Sequence, residues 1–283
     1  MSKVDEVLLL VKKNNCQDGI NLTSYDLKGI SLFEATFVHS ILTETNFDKS
    51  EIDQVTFRQS SLQKASFSKA KLKSVNFSGA NLTQANFDEA TLINCDFKNA
   101  QIEHSSFASA RITDCNFKGC NLNHSNFYAA KIQDCDLSFT RLMYVYAKSV
   151  HISKTSMKGT NARGSDFSFS KFSDIDLNGA NLKYSDLNSS VMTRVKLTLA
   201  NLTGVEMKDA YCKGNDLEGI NMEGADLTYA NLESSNLENA FLLEANLHGA
   251  NFTNANLKSA YLIDSNFSKA ITKGAKLENT IFD

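Results

Sequence analysis

From Leu22 to Phe282 the chain places a centre at every fifth position, without insertion or deletion in the frame. Ala80-Asn81-Leu82-Thr83-Gln84, Ala85-Asn86-Phe87-Asp88-Glu89 and Ala90-Thr91-Leu92-Ile93-Asn94 show the unit three times over. Forty-nine of the 53 centres are Leu, Ile, Phe or Met; the others are Ala147, Ala162, Cys212 and Thr272. Two residues before each centre stands a small or β-branched side chain, with only Tyr25 and Asn215 departing. The two alternate with a polar position, so both can point inward while three residues per pentad face water. A five-residue period cannot run on as a flat strand, so each pentad must end in a turn. Self-similarity at a fixed period predicts an all-β solenoid over residues 16–283.

Four short sides make one square coil of twenty residues, and the centres support that number. Phe holds alternate centres from Phe37 to Phe127, with Leu or Ile between them. Wound in twenties, the chain puts Phe columns on two opposite sides, where rings stack from coil to coil. At this point the chain resembles the pentapeptide repeat family, whose pattern A(D/N)LXX is matched by Ala80 to Phe87 and by Ala225-Asp226-Leu227. The resemblance implies a right-handed quadrilateral β-helix. Counting centres gives about thirteen coils, an array roughly 60–65 Å long at ordinary strand spacing.

Residues 1–15 lie outside the frame. Ser2 can cap a helix in which Val4, Val7, Leu8 and Val11 share one face, with Lys12 and Lys13 in its last turn. This predicts a short helix covering the open end of the first coil. All thirteen Gly residues carry numbers ending in 4 or 9. Gly held to one phase marks a corner with unusual dihedrals. The chain has no Pro, in keeping with a body of backbone ladders. No signal peptide and no spanning segment is visible, and six Cys are too few for a disulfide scaffold. The expected home is the cytoplasm.

Candidate surfaces come from departures. The outward aromatics and Met of one irregular stretch, Phe139, Met143, Tyr144 and Tyr146, suggest a contact patch or the cover of a poorly filled coil. Between Lys213 and Lys258 no cation occurs, but Asp216, Glu218, Glu223, Asp226, Glu233, Glu238 and Glu244 do. The preceding stretch, Arg141 to Lys213, holds eleven Lys/Arg against six Asp/Glu. Such a run reads as a solvated surface or as a site for a basic partner. Phe241, Tyr261 and Ile281 recur at one outward phase, with Leu243 and Ile263 beside them. They predict a buried apolar patch at the C-terminal end, in a two-fold homodimer or under a partner protein.

No catalytic constellation, phosphate loop or metal motif is present, so neither cofactor nor metal is expected. His104 and His124 fall one coil apart, as do Cys95, Cys115 and Cys135, which should form a buried column of thiols. A net charge of −3 gives no general attraction to nucleic acid or membrane. The expected function is a non-enzymatic protein-interaction or scaffold role. The resemblance implies an alternative, since some bacterial members mimic duplex DNA and protect DNA gyrase or topoisomerase IV from quinolones or gyrase poisons. A third possibility is the targeting module of a bacterial effector.

Overall fold

A computed structural model describes Asp5, Val7 and residues 18–282. The helix expected over residues 1–15 therefore lies outside the described residues, apart from Asp5 and Val7. The chain divides into two compact units, Met1–Arg141 and Leu142–Asp283, and each is a parallel β-solenoid.

One pentad shows how the backbone is satisfied. Asn81 N–H donates back to Ser60 O at 2.9 Å, and Leu82 N–H donates forward to Gln101 O at 2.7 Å. Thr83 N–H donates to the Asn81 side chain, Oδ1, at 3.1 Å. Gln84 N–H reaches Glu103 O at 2.9 Å, and Ala85 N–H closes the turn on Leu82 O at 2.9 Å. All five donors are thereby used, four by backbone and one by an Asx turn. The Asn or Asp ahead of so many centres is thus a backbone acceptor. The fourth residue, Gln84, sits at φ 61°. Every position ending in 4 or 9 from Gly19 to Asn279 is left-handed, and forty of these are not Gly.

In the first unit six three-residue strands pair in parallel at an offset of twenty residues. They are β1 (Ser31–Phe33), β2 (Glu51–Asp53), β3 (Lys71–Lys73), β4 (Thr91–Ile93), β5 (Arg111–Thr113) and β6 (Lys131–Gln133). The other sides hold single bridges at the same offset, such as Asn86↔Ser106. The core is two columns of Phe. Rings within a column stack at 4.6–5.3 Å between centroids, and rings of different columns meet edge to face, as Phe87 and Phe97 do at 5.9 Å. Offset and T-shaped contacts are the favoured geometries for quadrupolar rings. Cys95, Cys115 and Cys135 form the expected column and are free thiols. They lie beside the strands, where the turn bond is missing. Cys95 N–H donates instead to Cys115 Sγ at 3.4 Å, and Cys115 N–H to Cys135 Sγ at 3.3 Å.

In the second unit β7 (His151–Ser153), β8 (Lys171–Ser173) and β9 (Val191–Thr193) pair in the same way. Its core is mostly Leu, Met and Ala, with Ala147 and Ala162 buried at two centres. Beyond β9 the described residues hold no further strand. Named strands therefore mark nine turns, fewer than the about thirteen coils expected. The reason is local. After β9 this side adopts the hydrogen-bonded turn of the other three, as Asn215 N–H to Cys212 O shows at 3.4 Å. Single bridges from Tyr211↔Asn231 to Asn251↔Ile271 keep the twenty-residue offset on this side.

Asn215, an exception in the sequence pattern, marks that change. It is buried, 2% exposed. Its Oδ1 accepts from Val195 N–H and its Nδ2 donates to Met192 O, both at 2.9 Å. The side chain bridges two backbone groups that elsewhere bond directly to each other.

Three substitutions test this account by chemical denaturation. Phe97 stacks between Phe77 and Phe117 at 4.9 and 4.6 Å, so Phe97→Ala is expected to cost about 3–5 kcal/mol. The exposed neighbour Lys98→Ala should stay within about 0.5 kcal/mol. Asn215→Ala strands a buried N–H and a buried carbonyl and should cost about 2–4 kcal/mol. A loss near zero would show that the bridge is not needed.

Candidate interaction surfaces

Because bridges join residue i to i+20, residues twenty apart stand in one column along a unit. The two residues after each centre, such as Thr83 and Gln84, form the corners, and the second of them is the most exposed. The predicted patches can be placed on this grid.

Phe241 and Tyr261 lie in one column, ring on ring at 5.1 Å and 2° from parallel, and the Tyr261↔Ile281 bridge continues it. Phe241 is 42% exposed and Ile281 39%. Leu243 and Ile263 are half-buried in a column two residues along. The structure therefore does bring these five together, and Phe282, next to Ile281 in the chain, is also exposed.

The seven acidic residues are not gathered on one face. Asp216, Glu218 and Glu238 share a side, while Glu223 and Glu244 stand on a second, Asp226 on a third and Glu233 on the fourth. Two of them are paired, Glu233 with Lys213 at 2.8 Å and Asp226 with Lys208 at 3.3 Å. Burial raises the Asp226 carboxyl, but hydrogen bonds from Thr228 and the charge of Lys208 outweigh it and hold the group below the ordinary range.

Of the aromatic patch, Phe139 belongs to the first unit, 57% exposed, with Lys118 Nζ 5.9 Å from its ring centre. Met143, Tyr144 and Tyr146 belong to the second, the two tyrosines exposed and Met143 half-buried. Tyr144 lies flat over Gly164, where an added Cβ would meet its ring at 2.7 Å. Tyr184 covers Gly204 in the same way at 2.6 Å, with the Arg163 guanidinium 5.4 Å from its ring centre. Tyr184, Arg163 and the half-buried Lys183 were not singled out by sequence reasoning. A Tyr at a corner phase with Gly twenty residues later was the signal available.

His104 and His124 stack at 4.9 Å as the period predicts. Among the described residues no group of three or more His, Cys, Asp or Glu is placed to hold a metal ion. Open grooves between coils, such as one of about 350 Å³ along His151, Lys171 and Val191, are shallow features of a strand face. No helix among the described residues is long and apolar enough to cross a membrane.

These features define a class, the parallel β-solenoid built from pentads. Family models agree. The one described as Pentapeptide repeat region matches residues 15–87, 30–107, 70–146 and 110–187. Another, Pentapeptide repeats (8 copies), matches 170–209, 206–242 and 244–283. The chain belongs to the pentapeptide repeat family.

Among solved structures it is similar to HetL of the cyanobacterium Nostoc sp. strain PCC 7120, a protein involved in the regulation of heterocyst differentiation. The identity is 22%, covering 100% of this chain and 97% of that one, with a TM-score of 0.41. It is also similar to QnrB1, a plasmid-mediated fluoroquinolone resistance protein, at 17% identity over 66% of this chain and 93% of that one, TM-score 0.46. Rfr23 of the cyanobacterium Cyanothece 51142 shares 31% identity over 38% of this chain and 64% of its own, TM-score 0.23. No curated protein matches the chain.

One column of the second unit carries a titratable ladder, Asp166, Asp186 and Glu206, bridged in sequence. Burial, reinforced by the charges of Asp166 and Glu206, pushes the Asp186 carboxyl above its ordinary value of 3.8. A group whose pKa rises on folding favours the fold below 3.8 and loses that contribution as pH climbs through its folded value. Asp186→Asn keeps the acceptor for Asn188 N–H, now 2.8 Å from Oδ1, and removes the charge. It should melt above the wild type at about pH 7 and level with it near about pH 3. A variant that melts lower at neutral pH would contradict the ladder's repulsion.

Proposed function

We propose that this chain is a non-enzymatic protein-interaction module of the cytoplasm, and that its contact surface is the apolar ladder of the second unit. The observation that carries this reading is the exposed, stacked pair Phe241 and Tyr261, continued by Ile281 and flanked by Leu243 and Ile263. Outward positions of a solenoid gain nothing from apolar side chains in water, and contiguous exposed patches of this kind mark contact sites. The surface suits a partner protein or, through the C-terminal end, a second copy of the chain. The residue just before a centre is elsewhere mostly polar, which supports this stretch over others. We infer further that the coils keep one right-handed sense and number about thirteen.

Topoisomerase binding is the second reading, and the acidic side chains Asp216, Glu218 and Glu238 on one side are what favour it. They offer a basic DNA-binding groove a short row of carboxylates in place of phosphates. Their number is small, and Glu223, Asp226, Glu233 and Glu244 stand elsewhere.

Both readings can be tested with purified protein. Phe241→Lys combined with Tyr261→Lys should abolish partner recovery in cross-linked cell extract while leaving the melting temperature within a few degrees, about the shift of a 1 kcal/mol change. An unchanged set of cross-linked proteins rejects the patch. Wild-type protein that alters neither supercoiling by DNA gyrase nor drug-stabilised cleavage rejects the topoisomerase reading.

A further inference from the structure

The corner that carries Tyr144 and Tyr184 has a pattern unlike the others of the second unit. Its two columns read, coil by coil, Met143 and Tyr144, Arg163 and Gly164, Lys183 and Tyr184, Thr203 and Gly204, Glu223 and Gly224, Leu243 and Glu244, Ile263 and Asp264. The single bridges of the second unit, Asn161↔Asn181, Asn181↔Asn201 and Asn201↔Asn221, fix their stacking. Cations and aromatics occupy one half of this ridge, carboxylates and an open glycine the other. Among the described residues, Arg163, Lys183, Glu223, Glu244 and Asp264 form no ion pair within the chain.

We propose that this ridge is a self-complementary surface on which a second copy of the chain docks antiparallel, about a two-fold axis at Thr203 and Gly204. The proposal deepens the protein-interaction reading by naming a partner, on a ridge that adjoins the Phe241 ladder and shares Leu243 and Ile263 with its flank.

An isologous contact pairs each coil with the one equally far beyond the axis. One coil out, Lys183 meets the other copy's Glu223, and Tyr184 faces its Gly224, around which no atom would lie within 4 Å of an added Cβ. Two coils out, Arg163 meets Glu244 and lays its stem against Leu243. Three coils out, Met143 meets Ile263, and Tyr144 faces Asp264. Every level sets charge on opposite charge or apolar on apolar. A parallel arrangement would instead set Arg163 on Arg163 and Glu223 on Glu223. The strip is about 29 Å long at ordinary strand spacing. An interface this narrow falls at the small end of specific contacts and depends on its charges, so the dimer is weak and sensitive to salt.

Charge reversal tests the symmetry directly. Sedimentation velocity of the full chain at about 100 µM should show a dimer in about 50 mM salt that dissociates in about 500 mM. Lys183→Glu or Glu223→Lys alone sets like charges together twice and should weaken the dimer at least about ten-fold. The double variant Lys183→Glu with Glu223→Lys restores both pairs in reverse and should return the affinity to within about three-fold of wild type. Circular dichroism melts establish that each variant is folded. A wild-type monomer under the low-salt condition overturns the proposal, as does a dimer indifferent to the single reversals. A dimer lost on Phe241→Lys with Ile281→Lys but not on Lys183→Glu assigns the contact to the apolar ladder instead, overturning this proposal while leaving the protein-interaction reading in place.

Discussion

The coil-to-coil hydrogen bond at a fixed offset governs this structure. Asn116 N–H reaches back to Cys95 O at 2.9 Å while Phe97 N–H reaches forward to Asn116 O at 2.7 Å. Both require the next coil to be in register to within one residue. Burial follows from that register, because a one-residue slip would turn Phe97 outward and Lys98 inward. Stacking follows too, since strands are held at a spacing close to the contact distance of two rings. The left-handed corners also depend on it. Forty non-Gly residues adopt a conformation that costs each about 1–2 kcal/mol. The corner N–H bond to the neighbouring coil, as from Gln84 to Glu103, holds them there.

Most of the core was legible in the chain because each inward residue repeats a neighbour twenty positions away. The Phe columns, the Cys column and the stacked His104 and His124 all follow from counting. Asn215 was visible as an exception, but its purpose was not. The missing turn bond between Val195 and Met192 is a backbone event that no residue type announces. The number of strands was hidden for a similar reason. Lys171-Phe172-Ser173 and Tyr211-Cys212-Lys213 have the same polar and apolar pattern, yet only the first is a strand.

The surfaces were less legible. The apolar ladder of Phe241, Tyr261 and Ile281 could be read because apolar residues are out of place at outward phases. The acidic run could not, since adjacency in sequence spreads residues around four sides of a coil. Glu223 and Asp226 are three residues apart and face different ways, while Glu218 and Glu238 are neighbours twenty apart. Charge on a solenoid has to be read down the columns. Read that way, Arg163, Lys183 and Glu223 share one line, and the corner ridge emerges from residues that looked scattered.

The twenty-residue offset also restricts how such a chain can change length. Removing one pentad, Asn201 to Val205 for instance, would leave five-residue phase intact and every centre still inward. It would nevertheless rotate all later residues by a quarter turn. Glu223 would leave the line of Arg163 and Lys183 and join that of Asn178 and Thr198, and the Phe241–Tyr261 ladder would migrate to a new side. Losing a whole coil of twenty would preserve every column and only shorten it. Insertions and deletions are therefore graded by size. Those of twenty keep the surface, other multiples of five keep the fold but reassign the surface, and the rest break both.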